Sequence, residues 1–186
     1  MRWPSPPGRD RAVLDDGVVA VRPHRPDDAG PFLEAVQESL GEIGEWMEWV
    51  HPGYSLTDAV EWIESQDRLW DQGWRLGFGF VDPASGLLLG AGGLNRFDPT
   101  NRRANLGYWV RTSAVGRGVA TRAVRLMSRF GFAEVGLRRV EIAAGVDNTA
   151  SRRVAEKAGA RFEGVARNRL LLRGESFDAA VYGLVP

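Results

Sequence analysis

The chain has 186 residues, 44% of them hydrophobic, with 24 basic and 24 acidic side chains and no cysteine. This is enough apolar material for one domain with a sizeable core. Balanced charge, with no basic stripe outside one glycine loop, argues against a nucleic-acid partner. The lack of cysteine excludes disulfides, thiolate nucleophiles and cysteine metal sites, and two isolated histidines make no zinc site.

Residues 1–16 hold prolines and arginines but no apolar h-region, so they read as a flexible tail and not a secretory signal; 17–186 read as the single domain. Val18–Arg22 is a strand stopped by Pro23, and Asp27 and Asp28 start a helix to about Ser39. Ile43–Val50 carries Trp46, Met47 and Trp49, then His51-Pro52-Gly53 breaks the chain before a helix over Thr57–Gln72. Arg75–Val81 and Leu87–Phe97 form a hairpin around Asp82–Gly86, with Asn101–Val110 as the next strand. The run Gly86–Leu94 is the longest that is nearly apolar and is too short to span a bilayer, which predicts a cytoplasmic protein without membrane contact. Helix Gly118–Glu134 buries Val119, Ala123, Leu126, Met127 and Phe130 on one face. Strand Arg138–Gly145, helix Thr149–Ala158 with Gly159 as its stop, and a hairpin turning at Gly174-Glu175-Ser176 complete the order β-α-α-β-β-β-α-β-α-β-β.

Chemistry concentrates at two places. Tyr108-Trp109-Val110, a short break and Val115-Gly116-Arg117-Gly118-Val119-Ala120-Thr121 read as strand, glycine loop and helix N-terminus. The first amides of a helix lack intrahelical acceptors, so such a turn can seat a pyrophosphate on fixed donors. Arg117 and Arg122 are candidate charge partners. About thirty residues on, the strand ending at Val146 leads into Asp147-Asn148-Thr149-Ala150-Ser151 at the next helix start, where Asn148 suits an N-cap.

Together these segments resemble the GCN5-related N-acetyltransferases (GNAT), nearest the RimJ/RimL-type branch. The resemblance rests on Gly107-Tyr108-Trp109, the Gly-Arg-Gly-Val-Ala turn, Asn-Thr-Ala-Ser, Glu163-Gly164, and the Gly174–Asp178 hairpin with Tyr182, and covers about residues 17–185. It implies an α/β (α+β) fold with a mixed, mostly antiparallel, splayed sheet of about seven strands flanked by about four helices. It implies acetyl-CoA as co-substrate, no metal, and an amine acceptor. Gly116 to Thr121 would take the pyrophosphate, and the strand edge at Trp109, Val110 and Arg111 would pair with the pantetheine amides as a pseudo-strand. Asn148 would bond the pantetheine arm, and Ser151 would face the thioester sulfur as the acid. A homodimer is an analogy only.

Three positions depart from the pattern. Val115 stands where Gln or Arg is usual, Ala155 where many relatives have a tyrosine, and Leu170 where some RimL-type enzymes carry a glutamate base. Glu141 is a substitute base, or else a carboxylate paired with an arginine. Trp46, Trp49, His51 and Tyr108 either line an acceptor slot or pack the early helices and the central strand. Without a strong base the site suits an α-amine, pKa near 8, better than lysine, near 10.4; the difference is roughly 3.4 kcal/mol of deprotonation cost. The function expected is acetyl transfer to a protein N-terminal α-amine by direct attack in a ternary complex. Alternatives are a small-molecule amine (aminoglycoside, amino acid or polyamine), succinyl-CoA as donor, or a non-catalytic acyl-CoA-binding module.

Overall fold

The computed structural model describes residues 2–186. Its strands are β1 Leu14–Asp15, β2 Ala20–Pro23, β3 Arg75–Val81, β4 Leu88–Asp98, β5 Arg103–Val110, β6 Arg139–Gly145, β7 Arg161–Leu172 and β8 Glu175–Leu184. The helices are α1 Ala29–Glu38, α2 Leu40–Gly44, α3 Leu56–Asp71, α4 Val119–Ala133 and α5 Thr149–Ala158. All eight strands form one sheet in the order β1-β2-β3-β4-β5-β6-β8-β7. Only β5 and β6 run parallel.

Strand alternation builds a core on each face of the sheet. From β5, Leu106 joins Phe78, Leu94, Val140 and the inner side of α4, whereas Trp109 joins Phe32, Val36, Ile63 and Ala91 beneath α1 and α3. The α4 face is the one its periodicity marks out: Val119, Ala123, Leu126, Met127 and Phe130 are all buried. A reciprocal Ser55–Asp58 capping box starts α3, and α5 runs between Asn148 and Gly159, whose φ of 99° ends it.

β5 and β6 pair over only three rungs: Arg103 with Arg139, Ala104 with Val140 and Asn105 with Glu141. Beyond them β5 stays on β4 as far as Val110, and β6 stays on β8 as far as Gly145. The strands part and leave a wedge that opens toward their C-terminal ends.

Eight strands and five α-helices stand against the expected seven and four; the additions are the two-residue β1 and the five-residue α2. The last hairpin turns at Arg173-Gly174, one residue earlier than expected, because both take positive φ (51° and 81°) as a two-residue loop demands. A larger correction concerns the expected tail, whose described residues, 2–16, are not loose. Trp3 is 9% exposed, donates its N–H to the Gly73 carbonyl (2.6 Å) and packs on Phe97. Trp70 donates to the Pro7 carbonyl (2.9 Å), and Arg9 pairs with Asp67 and Asp71. An indole this well buried outweighs the entropy of ordering the segment.

His24 sits inside the second core region, its ring 4.8 Å from Trp62 and 6.0 Å from Phe32, with neither nitrogen hydrogen-bonded. Burial pushes its pKa from 6.5 down to about 3, against the upward pull of Asp28. The fold therefore holds a neutral imidazole, and the unfolded chain binds the extra proton below pH 6.5. Stability from this site is complete above that pH and is lost as pH falls from 6.5 toward 3.

Two outcomes are expected. Trp3→Ala lowers the unfolding free energy by about 3 kcal/mol in urea titrations; a change below a few tenths would restore the flexible-tail reading. Between pH 6.5 and 4 the wild type loses stability at up to about 1.4 kcal/mol per pH unit. His24→Leu flattens that slope, and the His24 ring signal in NMR keeps its neutral position to below about pH 5.

Candidate active site

The glycine loop between β5 and α4 has the required shape. Gly116 and Gly118 take φ of 79° and 78°, and nothing lies within 4 Å of where a Cβ would stand on either. Arg122 makes the first helical bond of α4, to the Gly118 carbonyl at 3.1 Å, so the amides of Val119, Ala120 and Thr121 have no intrahelical acceptor. These open donors at the positive end of a fifteen-residue helix fit a pyrophosphate. Arg117 is exposed and makes no ion pair among the described residues, whereas Arg122 is held by Asp16 at 2.8 Å. The Val115 side chain points to solvent at 64% exposure and adds no polar contact.

The edge of β5 differs from the expected one. Arg111 gives its N–H to the Leu89 carbonyl at 2.9 Å and so faces β4, not the wedge. By the two-residue alternation of the ladder Trp109, opposite Ala91, turns the same way, and Tyr108 and Val110 present their backbone groups to the wedge. Of Trp109, Val110 and Arg111, only Val110 can offer its amide there. The Trp109 side chain is core, in contact with Phe32 and Trp49. The Arg111 guanidinium clamps the end of β5 to α1 through Glu38, whose carboxyl it holds down to about 2, helped by the Ser113 amide.

Across the wedge, α5 begins at the end of β6. Asn148 Oδ1 accepts the Ser151 N–H at 2.9 Å, which is the capping role and leaves the amide NH2 of Asn148 free. Arg152 fixes this start of the helix by donating to the Val146 carbonyl (2.9 Å) and to Tyr182 Oη (3.2 Å), while Tyr182 donates to Glu156 (3.0 Å). Sequence reasoning passed over Arg152, because its partners lie on β8 and the loop after β6. The Tyr108 hydroxyl comes from β5 to lie 3.1 Å from Ser151 Oγ.

Glu141 stands at the apex of the wedge, opposite Asn105. Arg169 donates to one of its oxygens at 2.9 Å and Arg139 to the other at 3.4 Å, so the carboxylate is a paired one. Leu170 faces Phe177 in the last hairpin. The acceptor candidates separate. Trp46 lies against Gly145 at the open end of β6, where a Cβ would collide with its ring, and Arg173 of the last hairpin reaches over to the Gly44 carbonyl. Trp49 is not beside it: its ring packs among Phe32, Tyr54, Trp62 and Trp109, and α2 ends at Gly44, so the two tryptophans share no helical face. His51 is exposed, at 3.8 Å from Asp58 and against Tyr54, on the surface before α3. Gly107 has open space above it on the same face of β5 as Trp109, which leaves room for an incoming group.

The family model for the acetyltransferase (GNAT) domain matches residues 19–161. The chain belongs to the GNAT acetyltransferases. It is 31% identical over 172 residues, 90% of this chain and 91% of the relative, to Bacillus subtilis YdaF, provisionally named a ribosomal N-acetyltransferase. With the ribosomal-protein-serine acetyltransferase of Escherichia coli it shares 32% identity over 99 residues, 53% of this chain and 55% of that one. The structure of Mycobacterium smegmatis RimJ in complex with CoA-disulfide matches it with a TM-score of 0.81 at 25% identity, covering all of this chain and 90% of that one. This acetyltransferase is thus an acetyl-CoA-dependent enzyme of RimJ/RimL-like type. Among its described residues, no cluster of three or more His, Asp or Glu could hold a metal ion.

If the loop is the pyrophosphate cradle, Gly118→Trp lowers CoA affinity more than tenfold by calorimetry, at a cost of about 1–3 kcal/mol in stability for a side chain at positive φ. A folded variant that binds CoA as well as the wild type would remove the cradle from this loop.

Proposed function

We propose that this acetyltransferase moves an acetyl group from acetyl-CoA to the α-amine of a protein N-terminus, by direct attack of the neutral amine within a ternary complex. The observation that carries the choice of amine is Glu141: the carboxylate at the apex of the wedge is committed to Arg139 and Arg169. An α-amine has a pKa near 8 and is partly neutral without help, whereas lysine needs about 3.4 kcal/mol more to lose its proton. The provisional name of YdaF, a ribosomal N-acetyltransferase, and the name of the E. coli relative, a ribosomal-protein-serine acetyltransferase, support a protein acceptor.

Acetyl-CoA would supply an activated acyl carbon on a thiol leaving group. Its diphosphate would rest on the amides of Val119, Ala120 and Thr121, with Arg117 beside them. The backbone of Tyr108 and Val110 would pair with the pantetheine arm, with one N–H there polarising the thioester carbonyl, a contribution of roughly 3 kcal/mol. The free amide NH2 of Asn148 would donate to a carbonyl of the arm, and the Ser151 hydroxyl would give a hydrogen bond to the sulfur as it gains charge. The thiol's own pKa of about 8.5 makes that help moderate. Trp46 would close the acceptor side over Gly145.

The test is thiol release from acetyl-CoA with peptides bearing a free α-amine, Nα-blocked lysine peptides, polyamines and aminoglycosides. Free α-amine peptides are expected to exceed blocked lysine peptides in kcat/KM on the order of 100-fold near neutral pH. Turnover confined to a small-molecule amine would overturn the acceptor assignment.

A further inference from the structure

Tyr108 stands across the wedge from α5. Its phenol oxygen lies 3.0 Å from the Ser151 carbonyl oxygen and 3.1 Å from Ser151 Oγ. The geometry points to Tyr108 as a positioning residue that holds the Ser151 hydroxyl toward the leaving sulfur; this rests on the role proposed for Ser151.

A serine in the first turn of a helix has competing places for its proton, among them nearby backbone carbonyls. Ser151 already has its N–H fixed on Asn148 Oδ1. With the single phenol proton shared between the Ser151 carbonyl oxygen and Oγ in a three-centre bond, the serine oxygen accepts and its own proton points elsewhere, with the parted edges of β5 and β6 beside it. A donor into Oγ also polarises the Ser151 O–H and strengthens the bond it gives onward. Burial pushes the Tyr108 phenol up to about 12, against the lowering pull of Ser151, so the ring stays protonated at neutral pH and keeps a proton to donate. For the same reason Tyr108 is a poor acid toward a thiolate whose conjugate thiol has a pKa of about 8.5.

The proton account closes without consuming either hydroxyl. The amine nitrogen bonds to the acyl carbon, and the C–S bond breaks with its electron pair going to sulfur. Nitrogen releases one proton to water, and sulfur takes one from water or leaves as thiolate. Ser151 and Tyr108 end as they began. A phenol from the strand thus reaches the hydroxyl in the first turn of α5.

The experiment needs no acceptor. Binding of CoA and of desulfo-CoA is measured by calorimetry for wild type, Tyr108→Phe, Ser151→Ala and the double variant, at a pH above the thiol pKa of about 8.5. Wild type is expected to prefer CoA. Each single variant is expected to lower the ratio of CoA to desulfo-CoA affinity about tenfold, as for one hydrogen bond to a charged sulfur. The double variant is expected to fall no further than either single one, because the two hydroxyls act as one chain. A structural role for Tyr108 would lower both affinities alike and leave the ratio unchanged. That result, or losses that multiply in the double variant, would overturn the proposal. If the wild type bound neither ligand, the donor site itself would be wrong and the role of Tyr108 would fall with it; intact binding with an unmoved ratio would refute Tyr108 alone.

Discussion

A ladder left unfinished is the constraint on which the rest of the structure depends. β5 and β6 share three rungs and then diverge, so the backbone groups of Tyr108 and Val110 face a gap. Unpaired peptide groups in a largely enclosed place are costly unless something polar meets them. A ligand with its own amides spaced along an extended arm would answer that need, and the open amides at the start of α4 are the donors proposed for its phosphates. The two core clusters hold the gap open from both faces: Trp109 is pulled into the aromatic group under α1 and α3, while Leu106 is fixed under α4. The splay is therefore a property of the packing.

The wedge also orders the chemistry. Its apex is closed by the Arg139–Glu141–Arg169 group, its walls are β5 and the start of α5, and its open end is roofed by Trp46. Charge is neutralised at the closed end, where Glu163 on Arg139 balances the second arginine, and left available at the glycine loop, where Arg117 is unpaired among the described residues.

Much of this was legible in the chain because the signals were local. Asn148 and Gly159 delimit α5 by capping, and the spacing of Val119, Ala123, Met127 and Phe130 marks the buried face of α4. The positive φ of Gly116 and Gly118 follows from the same kind of short-range pattern, whereas Ser151 is singled out by the family resemblance. What escaped depends on distant partners. Trp3 is held by Gly73 and Phe97, and the arginine pairing that is one reading of Glu141 has a partner, Arg169, that lies 28 residues away and could not be named. The turn of Arg111 toward β4 follows from the register of β5 against β4, which no property of Trp109, Val110 or Arg111 reveals. Trp46 and Trp49 look alike in sequence, yet one lies on Gly145 and the other inside an aromatic core, because the helix that would have aligned them stops at Gly44.

The sheet order carries a consequence for how the molecule comes into being. β8, the last strand along the chain, lies between β6 and β7, and β6 keeps only three rungs with β5. The wall that bears Asn148 and Ser151 thus rests on a strand that emerges after it during synthesis. Strands β1 to β5 and helix α4 can assemble while β8 is still unmade, and the glycine loop with them. The groove gains its second side only once β8 has joined β6, which makes the wedge a seam between two halves of unequal age.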